Sequence, residues 1–284
     1  MPAFNLQKFC SYIEDYRITF ANVVPPVVLL LVKHPIVEVY DFSSLKMLNC
    51  GAAPLTKELA TAVYERIKVP IKQGYGLTET SPTTHLQAWD QWATFGSIGH
   101  LLPNQVAKYV DPDEKEVPVG MAGELWLKGP NVFKGYYKNP RATENTFSAD
   151  GFFKTGDVGH VDERGNFYIT DRIQELIQYK EFQVAPAELE GLLLGHPKIN
   201  DVAVLGVFDE SIASEVPRAY VLPVRGVARN ADTAREICDW LDARVPAYKR
   251  LRGEVRWVNS IPKSPSGKIL RRALRKQVQN GCLS

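Results

Sequence analysis

Gln73-Gly74-Tyr75-Gly76-Leu77-Thr78-Glu79-Thr80-Ser81-Pro82 is the stretch on which the reading of this 284-residue chain turns. It follows Val69–Lys72, which reads as a short strand, and Thr56–Ile67, which reads as a helix opened by a Thr cap. Further upstream, Leu45–Cys50 reads as a strand and Ile18–Val24 as a β-branched strand ended by Pro25 and Pro26. Leu6–Tyr16 places Leu6, Phe9, Cys10, Ile13 and Tyr16 at the spacing of an amphipathic helix. Strand–helix–strand units of this length argue for an α/β parallel sheet with crossover helices. The decapeptide then sits just past a strand, where open α/β sheets place ligands. Its glycines allow close backbone approach and positive φ. Thr78 and Glu79 set a hydroxyl beside a carboxylate, a pair suited to a phosphate oxygen and its Mg²⁺. An isolated Gly-x-Gly also fits an ordinary turn. No third glycine completes a dinucleotide fingerprint, and Gly267-Lys268 runs into Ile269 rather than the Ser or Thr of a P-loop.

Beyond Gly74, Gly, Pro, Asn and Asp punctuate the short strands Gln105–Val110, Gly123–Lys128 and Asn166–Thr170, a mostly antiparallel β region. From Ile173 the order reads strand, helix Pro186–Leu194, strands Asp201–Val207 and Arg218–Pro223, helix Ala231–Arg244, strand Val255–Val258 and helix Gly267–Gln279. That is an α+β unit with its own apolar periodicity, and it places a boundary near Asp171-Arg172, between residues 1–170 and 171–284.

Thirty-four basic against 32 acidic residues leave a net charge of +2, which marks neither a nucleic-acid binder nor an acidic solvating chain. Cys10, Cys50, Cys238 and Cys282 include no CxxC pair, and His34, His85, His100, His160 and His196 show neither metal-ligand nor triad spacing. A disulfide framework and a structural zinc are therefore not expected, and a reducing compartment is. The longest apolar run, Val23–Val32, contains two prolines and is too short for a membrane span. No signal peptide is visible, and Gly281-Cys282-Leu283-Ser284 is neither a peroxisomal tripeptide nor a prenylation box, so the expected location is the cytoplasm.

Several segments resemble, in order, the adenylate-forming (AMP-binding) superfamily, and most nearly its acyl-CoA synthetases similar to 4-coumarate–CoA ligases. They are Gly51–Leu55 (GAAPL), Gly74–Glu79 (GYGLTE), Lys154–Asp157 (KTGD), Asp171-Arg172 with Glu175-Leu176-Ile177, Pro186–Glu190 (PAELE) and Pro262–Arg271 (PKSPSGKILR). The resemblance runs from Phe4 to about Lys276. It implies the C-terminal part of a large adenylation domain, a parallel-sheet unit plus a β-rich subdomain, followed by a small hinged α+β domain. It also implies a two-step reaction. A carboxylate attacks the α-phosphorus of ATP to give an acyl-adenylate and pyrophosphate, and the coenzyme A thiol then displaces AMP. Gly51, Ala52, Ala53 and Pro54 would line the adenine site, and Gly74, Tyr75 and Gly76 would shape the adenine and acyl pockets, with Ser81 and Pro82 near the acyl group. Thr78 would bind the α-phosphate and Glu79 would hold Mg²⁺. Asp157 would accept from the ribose hydroxyls and Arg172 would contact ribose or phosphate. Lys268 would reach in from the C-terminal domain and bring its charge to the phosphoryl oxygens, and the small domain would then swing about Asp171 for the thiol step. Aromatic or medium-chain aliphatic acids are the implied substrates. Taken alone, Lys268, Arg271, Arg272, Arg275 and Lys276 read as a solvated basic helix, Asp157 as a turn residue and Asp171 as a simple cap.

Two departures bear on activity. The Ser/Thr/Gly-rich phosphate loop of the resembled family has no counterpart between Met1 and Leu77, and strands expected beside Ile18–Val24 are absent, which predicts exposed edges. Near the hinge, Gln174 and Gln178 stand where the family has lysines and Glu181 where it has glycine, while Lys180 and Gln183 are retained as cofactor-binding positions. Glutamine donates a hydrogen bond without charge, and a residue forced to positive φ at 181 would cost about 1–2 kcal/mol. The alternative expectation is thus an inactive remnant or a split-enzyme module that works with a complementing N-terminal half.

Overall fold

A computed structural model describes residues 4–52, 55–264 and 267–279. The chain divides into two compact units, residues 1–169 and 170–284.

The first unit opens with α1 (Leu6–Asp15), whose free N-terminal amides meet the Asn5 side chain, which accepts from Lys8 N at 2.9 Å. β1 (Phe20–Val23) follows. The proline pair after it starts a helix, α2 (Pro25–Lys33), where the sequence suggests only a strand end. Proline tolerates the first helical turn because its missing N–H is unpaired there anyway, and it holds Val24 extended. β2 (Met47–Cys50), α3 (Lys57–Ile67) and β3 (Ile71–Gly76) complete the crossover units, with Thr56 Oγ1 capping α3 through Leu59 N at 3.3 Å. β1, β2 and β3 pair in parallel. β4 (Thr83–Leu86) and β5 (His100–Leu101) extend the sheet antiparallel, giving the order β1-β2-β3-β4-β5. α1, α2 and α3 bury Cys10, Ile13, Val28, Leu31, Ala60 and Val63 with Leu48 and Ile71 of the sheet. β1 is one outer strand of this sheet, with Phe20 and the helical Leu30 both exposed.

A second sheet of the same unit contains β6 (Val106–Val110), β7 (Gly123–Lys128), β8 (Phe153–Val161) and β9 (Phe167–Arg172) in that order, with α4 (Pro140–Thr146) between β7 and β8. β6, β7 and β8 pair antiparallel around Tyr109, Leu125, Leu127 and Phe153. β9 runs across the division between the units.

In the second unit a 3-10 turn (Ile173–Glu175), not a strand, leads into the hairpin β10 (Ile177–Tyr179) and β11 (Phe182–Val184). α5 (Pro186–Leu194) has no polar cap of its own; Asp171 supplies one from 16 residues upstream, Oδ2 accepting from Ala187 N at 2.9 Å. β12 (Ile199–Asp209) and β13 (Ser214–Pro223) form a long antiparallel pair, α6 (Ala231–Asp242) is capped by Asn230, and β14 (Val255–Trp257) pairs in parallel with β13. α7 (Arg271–Gln279) begins later than the sequence suggests, so Gly267 and Lys268 precede it. Leu189, Leu193, Val202, Val204, Val221, Ile237 and Leu241 form the core. Among the described residues no helix is long and apolar enough to cross a membrane.

Candidate active site

β3 continues through the glycines, so the loop begins only at Leu77. Neither Gly74 nor Gly76 uses the positive φ open to it; the left-handed residue of this loop is Ser81, at φ 54°. The glycines serve close approach instead. A Cβ on Gly76 would collide with the carbonyl of Pro82, and one on Gly74 would come within 2.8 Å of Leu86 Cδ1. The β3–β4 pair closes too tightly for a side chain on that face.

Tyr75 lies between these glycines and turns toward β8. Its hydroxyl donates to Asp157 Oδ2 at 2.5 Å across 82 residues of sequence. Asp157 is buried, 3% exposed, and so is not a turn residue. The β7–β8 ladder slips between Glu124 and Trp126, and Gly156 there takes φ 71°. Gly156 N donates to Glu124 Oε1 at 2.8 Å, and Asp157 N donates to Thr155 Oγ1 at 3.0 Å. This irregularity re-aims the strand and presents the carboxylate to Tyr75. Burial, then the Asp157 charge, holds the Tyr75 hydroxyl well above its ordinary range. His85, wholly buried against Tyr75 and Phe167, is pushed down to about 3, first by burial and then by His100. Its ring packs between Tyr75 and Phe167, with Nδ1 2.9 Å from Thr84 Oγ1.

Thr78 is exposed at the start of a 3-10 turn, and Glu79 is half-buried in it. Glu79 has a partner that sequence reasoning missed: Tyr136 Oη donates to Glu79 Oε1 at 3.0 Å. The same loop braces the turn twice more, Phe133 N to the Glu79 carbonyl at 2.8 Å and Asn131 Nδ2 to the Thr80 carbonyl at 2.6 Å. The only sequence signal was the dense Phe133–Tyr137 aromatic run. No group of three metal-binding side chains occurs among the described residues. One carboxylate is enough for a Mg²⁺ that also binds phosphate oxygens. Gly51 follows β2 at the carboxyl end of the parallel strands, and among the described residues beyond its chain neighbours none lies within 4 Å of where its Cβ would be. Ala52 has φ 72°, a conformation costly for alanine. Ala53 and Pro54 lie outside the described residues.

The second unit holds the other candidates. Arg172 is exposed, and its N–H donates to Asp171 Oδ1 at 2.7 Å. Burial raises the Asp171 carboxyl against the bonds from Ala187 and Arg172. The β10–β11 turn is Lys180-Glu181, and the positive φ falls on Lys180, at 52°, not on Glu181. The strain expected at position 181 is therefore absent. Gln178 Nε2 donates to the Lys180 carbonyl at 2.7 Å, and Lys180 N donates to Ser214 Oγ at 2.6 Å. Gln183 is exposed opposite Gln178. Lys268 is exposed on a tight turn before α7, its N–H donating to Ser264 Oγ at 3.1 Å. The expected solvated helix is only partly so: Arg271, its first residue, is half-buried against Glu190 and Glu175. The structure thus joins Tyr75 with Asp157 and Glu79 with Tyr136. The Lys268 turn and the Lys180 turn are separated within their unit. Lys263, five residues before Lys268, pairs with Asp201 at one end of the β12–β13 ladder, whereas Lys180 is held by Ser214 at the other.

The AMP-binding enzyme family model matches residues 1–137, and the AMP-binding enzyme C-terminal domain model matches residues 188–268. A probable 4-coumarate–CoA ligase 2 of Dictyostelium discoideum is 43% identical over 279 residues, 97% of this chain and 50% of that protein. The ATP-bound MatB of Rhodopseudomonas palustris superposes with a TM-score of 0.87 at 29% identity, over 98% of this chain and 54% of that one. The anthranilate CoA ligase AuaEII, in complex with anthranoyl-AMP, superposes with a TM-score of 0.87 at 26% identity, over 95% and 52%. The chain spans about half the length of the curated relatives it matches.

Proposed function

This chain belongs to the AMP-binding enzymes, and from that premise we propose that it works as an acid–thiol ligase of the acyl-CoA synthetase type. The observation that carries the reading is the Tyr75–Asp157 pair: a buried carboxylate brought to the glycine-flanked tyrosine across 82 residues. Gly51 is open at the carboxyl end of β2, where α/β sheets take nucleotides.

The substrates are ATP, coenzyme A and a carboxylic acid, aromatic or medium-chain aliphatic. The acid's oxygen attacks the α-phosphorus, and the bond to the pyrophosphate oxygen breaks. The thiolate then attacks the acyl carbon and AMP departs with the bonding pair. Asp157 accepts from the ribose, Tyr75 and Gly51 face the base, Thr78 donates to the α-phosphate and Arg172 contacts the nucleotide. Glu79, steadied by Tyr136, is the carboxylate for Mg²⁺. That ion supplies charge neutralisation at the phosphates. Lys268 donates to the phosphoryl oxygens, and Lys180 and Gln183 belong to the thiol-transfer step. The two ends of the β12–β13 ladder support this division of labour, because they separate the two lysines. Residues 1–170 and 171–284 then act as adenylation core and mobile lid, in the cytoplasm.

The test is carboxylate-dependent pyrophosphate release from Mg-ATP, with aromatic and aliphatic acids supplied in pools. Lys268→Ala is expected to lower the rate about 10²–10³-fold, the usual cost of one lost donor at a developing charge. Equal rates in wild type and Lys268→Ala would sink the reading. A second reading, an inactive or complementing module, is supported by the glutamines: Gln178 brings no charge, and its amide is committed to the Lys180 carbonyl. It requires a folded chain that releases pyrophosphate only when mixed with a segment carrying a phosphate loop, and that co-elutes with this segment.

A further inference from the structure

Lys268 is held on a turn whose two ends are fastened by ion pairs. Before it, Lys263 Nζ meets both carboxylate oxygens of Asp201 at 2.7 Å, and Lys263 bridges Ile269 in an antiparallel pair. After it, Arg271 Nη2 reaches both oxygens of Glu190 at 2.7 Å, and Nη1 reaches Glu175 Oε2 at 2.7 Å. Glu190 Oε1 also accepts from Val204 N at 2.8 Å, so the carboxylate is tied to α5, β12 and α7 at once. Glu175 lies four residues past Asp171, in the segment that Asp171 joins to α5.

Stability alone is a poor explanation for this arrangement. Arg271 and Glu190 are nearly enclosed, their side chains 12% and 9% exposed, and Arg271 Nε is buried with no partner among the described residues. Enclosed ion pairs of this kind are often no more stabilising than apolar side chains of the same size. A planar guanidinium that reaches Glu190 through Nη2 and Glu175 through Nη1 does fix direction, which a single ammonium does not. Two residues, Ile269 and Leu270, separate Arg271 from Lys268, and the turn amides of Gly267, Lys268 and Leu270 are bonded to Ser264 O, Ser264 Oγ and Pro262 O.

We propose that Arg271, clasped by Glu190 and Glu175, is a positioning residue for Lys268: it makes the lysine turn and the segment after Asp171 one rigid piece. This rests on the adenylation reading for the role of Lys268, but the anchoring itself does not.

The experiment is amide hydrogen exchange on the full chain, wild type and Arg271→Met, together with pyrophosphate release in the presence and absence of Lys268→Ala. Exchange at Gly267, Lys268 and Leu270 is expected to quicken at least about tenfold in Arg271→Met, while Ala219 and Val221 of β13 keep their rates. Pyrophosphate release is expected to fall about tenfold in kcat with KM for ATP little changed, and Arg271→Met is expected to cost nothing more once Lys268 is alanine. Unchanged exchange at the turn overturns the proposal. So does an equal loss of rate in the Lys268→Ala background, since that marks general damage to the unit. If Arg271→Met does not fold, Arg271→Lys keeps the charge and loses the fork; it is expected to shift exchange in the same direction, and no shift overturns the anchoring. Rates indifferent to Lys268→Ala, or no pyrophosphate release by wild type, refute the adenylation reading instead and leave exchange alone to decide the anchoring.

Discussion

The β3–β4 hairpin of the first unit and the β10–β11 hairpin of the second both carry motifs of the family, yet one has kept its glycines and the other has not. In the first, the backbones at Gly76 and Pro82 approach too closely for a Cβ, and the loop between them is bonded to itself through Thr80 Oγ1, which donates to the Pro82 carbonyl at 2.5 Å. In the second, the turn is Lys180-Glu181, exposed on both residues, and its left-handed residue is Lys180. Close packing leaves the first no alternative residue, whereas solvent around the second lets the chain redistribute a modest strain.

The contrast is most strongly tested at Gly76. Gly76→Ala is expected to destabilise the first unit by about 3 kcal/mol or more, because the obstacle is backbone that cannot move aside; denaturant unfolding measures it, and a cost under about 1 kcal/mol would show that the hairpin has slack. Tyr75→Phe removes the hydroxyl that Asp157 accepts from. A loss of about 1–3 kcal/mol is expected from leaving a buried carboxylate oxygen short of a donor, with weaker nucleotide binding by calorimetry.

A smaller effect, with a defined sign, comes from Glu190. Burial pushes its carboxyl up to about 7 from an ordinary 4.5, with Arg271 pulling it down and Asp171 and Glu175 adding to the rise. The folded chain therefore holds this proton between pH 4.5 and about 7, where the unfolded chain has released it. Stability from this group is full below pH 4.5 and is lost as pH rises toward 7. Glu190→Gln is expected to flatten that part of the stability–pH curve, read by thermal unfolding at intervals across the window. The smallest change belongs to the second hairpin: Glu181→Gly is expected to alter stability by less than about 0.5 kcal/mol, as for most exposed positions. A gain well above that would mean that position 181 is strained after all.

Much of the architecture was legible in the residue pattern. Periodicity located α1, α3, α5 and α6 because their buried faces recur at helical spacing, and β1 and β2 because β-branched and apolar runs end at Pro or Gly. α2 was missed because its apolar run shows almost no polar face, and residues hidden on nearly all sides do not reveal a period. The strand at 153–161 was missed because its alternation is broken by Gly156 and Gly159. Thr78, Glu79, Asp157 and Lys268 could be nominated from ordered motifs. Tyr136 could not, because its role depends on a loop 57 residues away.

The sequence by itself determined that this is a two-part α/β chain of the AMP-binding type, because short-range spacing dictates helices and strands and ordered motifs carry family. Only the tertiary structure decided that Tyr75 meets Asp157, that Asp171 caps α5, and that Arg271 is enclosed between Glu190 and Glu175. Those contacts join residues far apart in the chain. Their energies depend on burial and on the direction of a donor, and neither quantity is set until the units have closed around their cores.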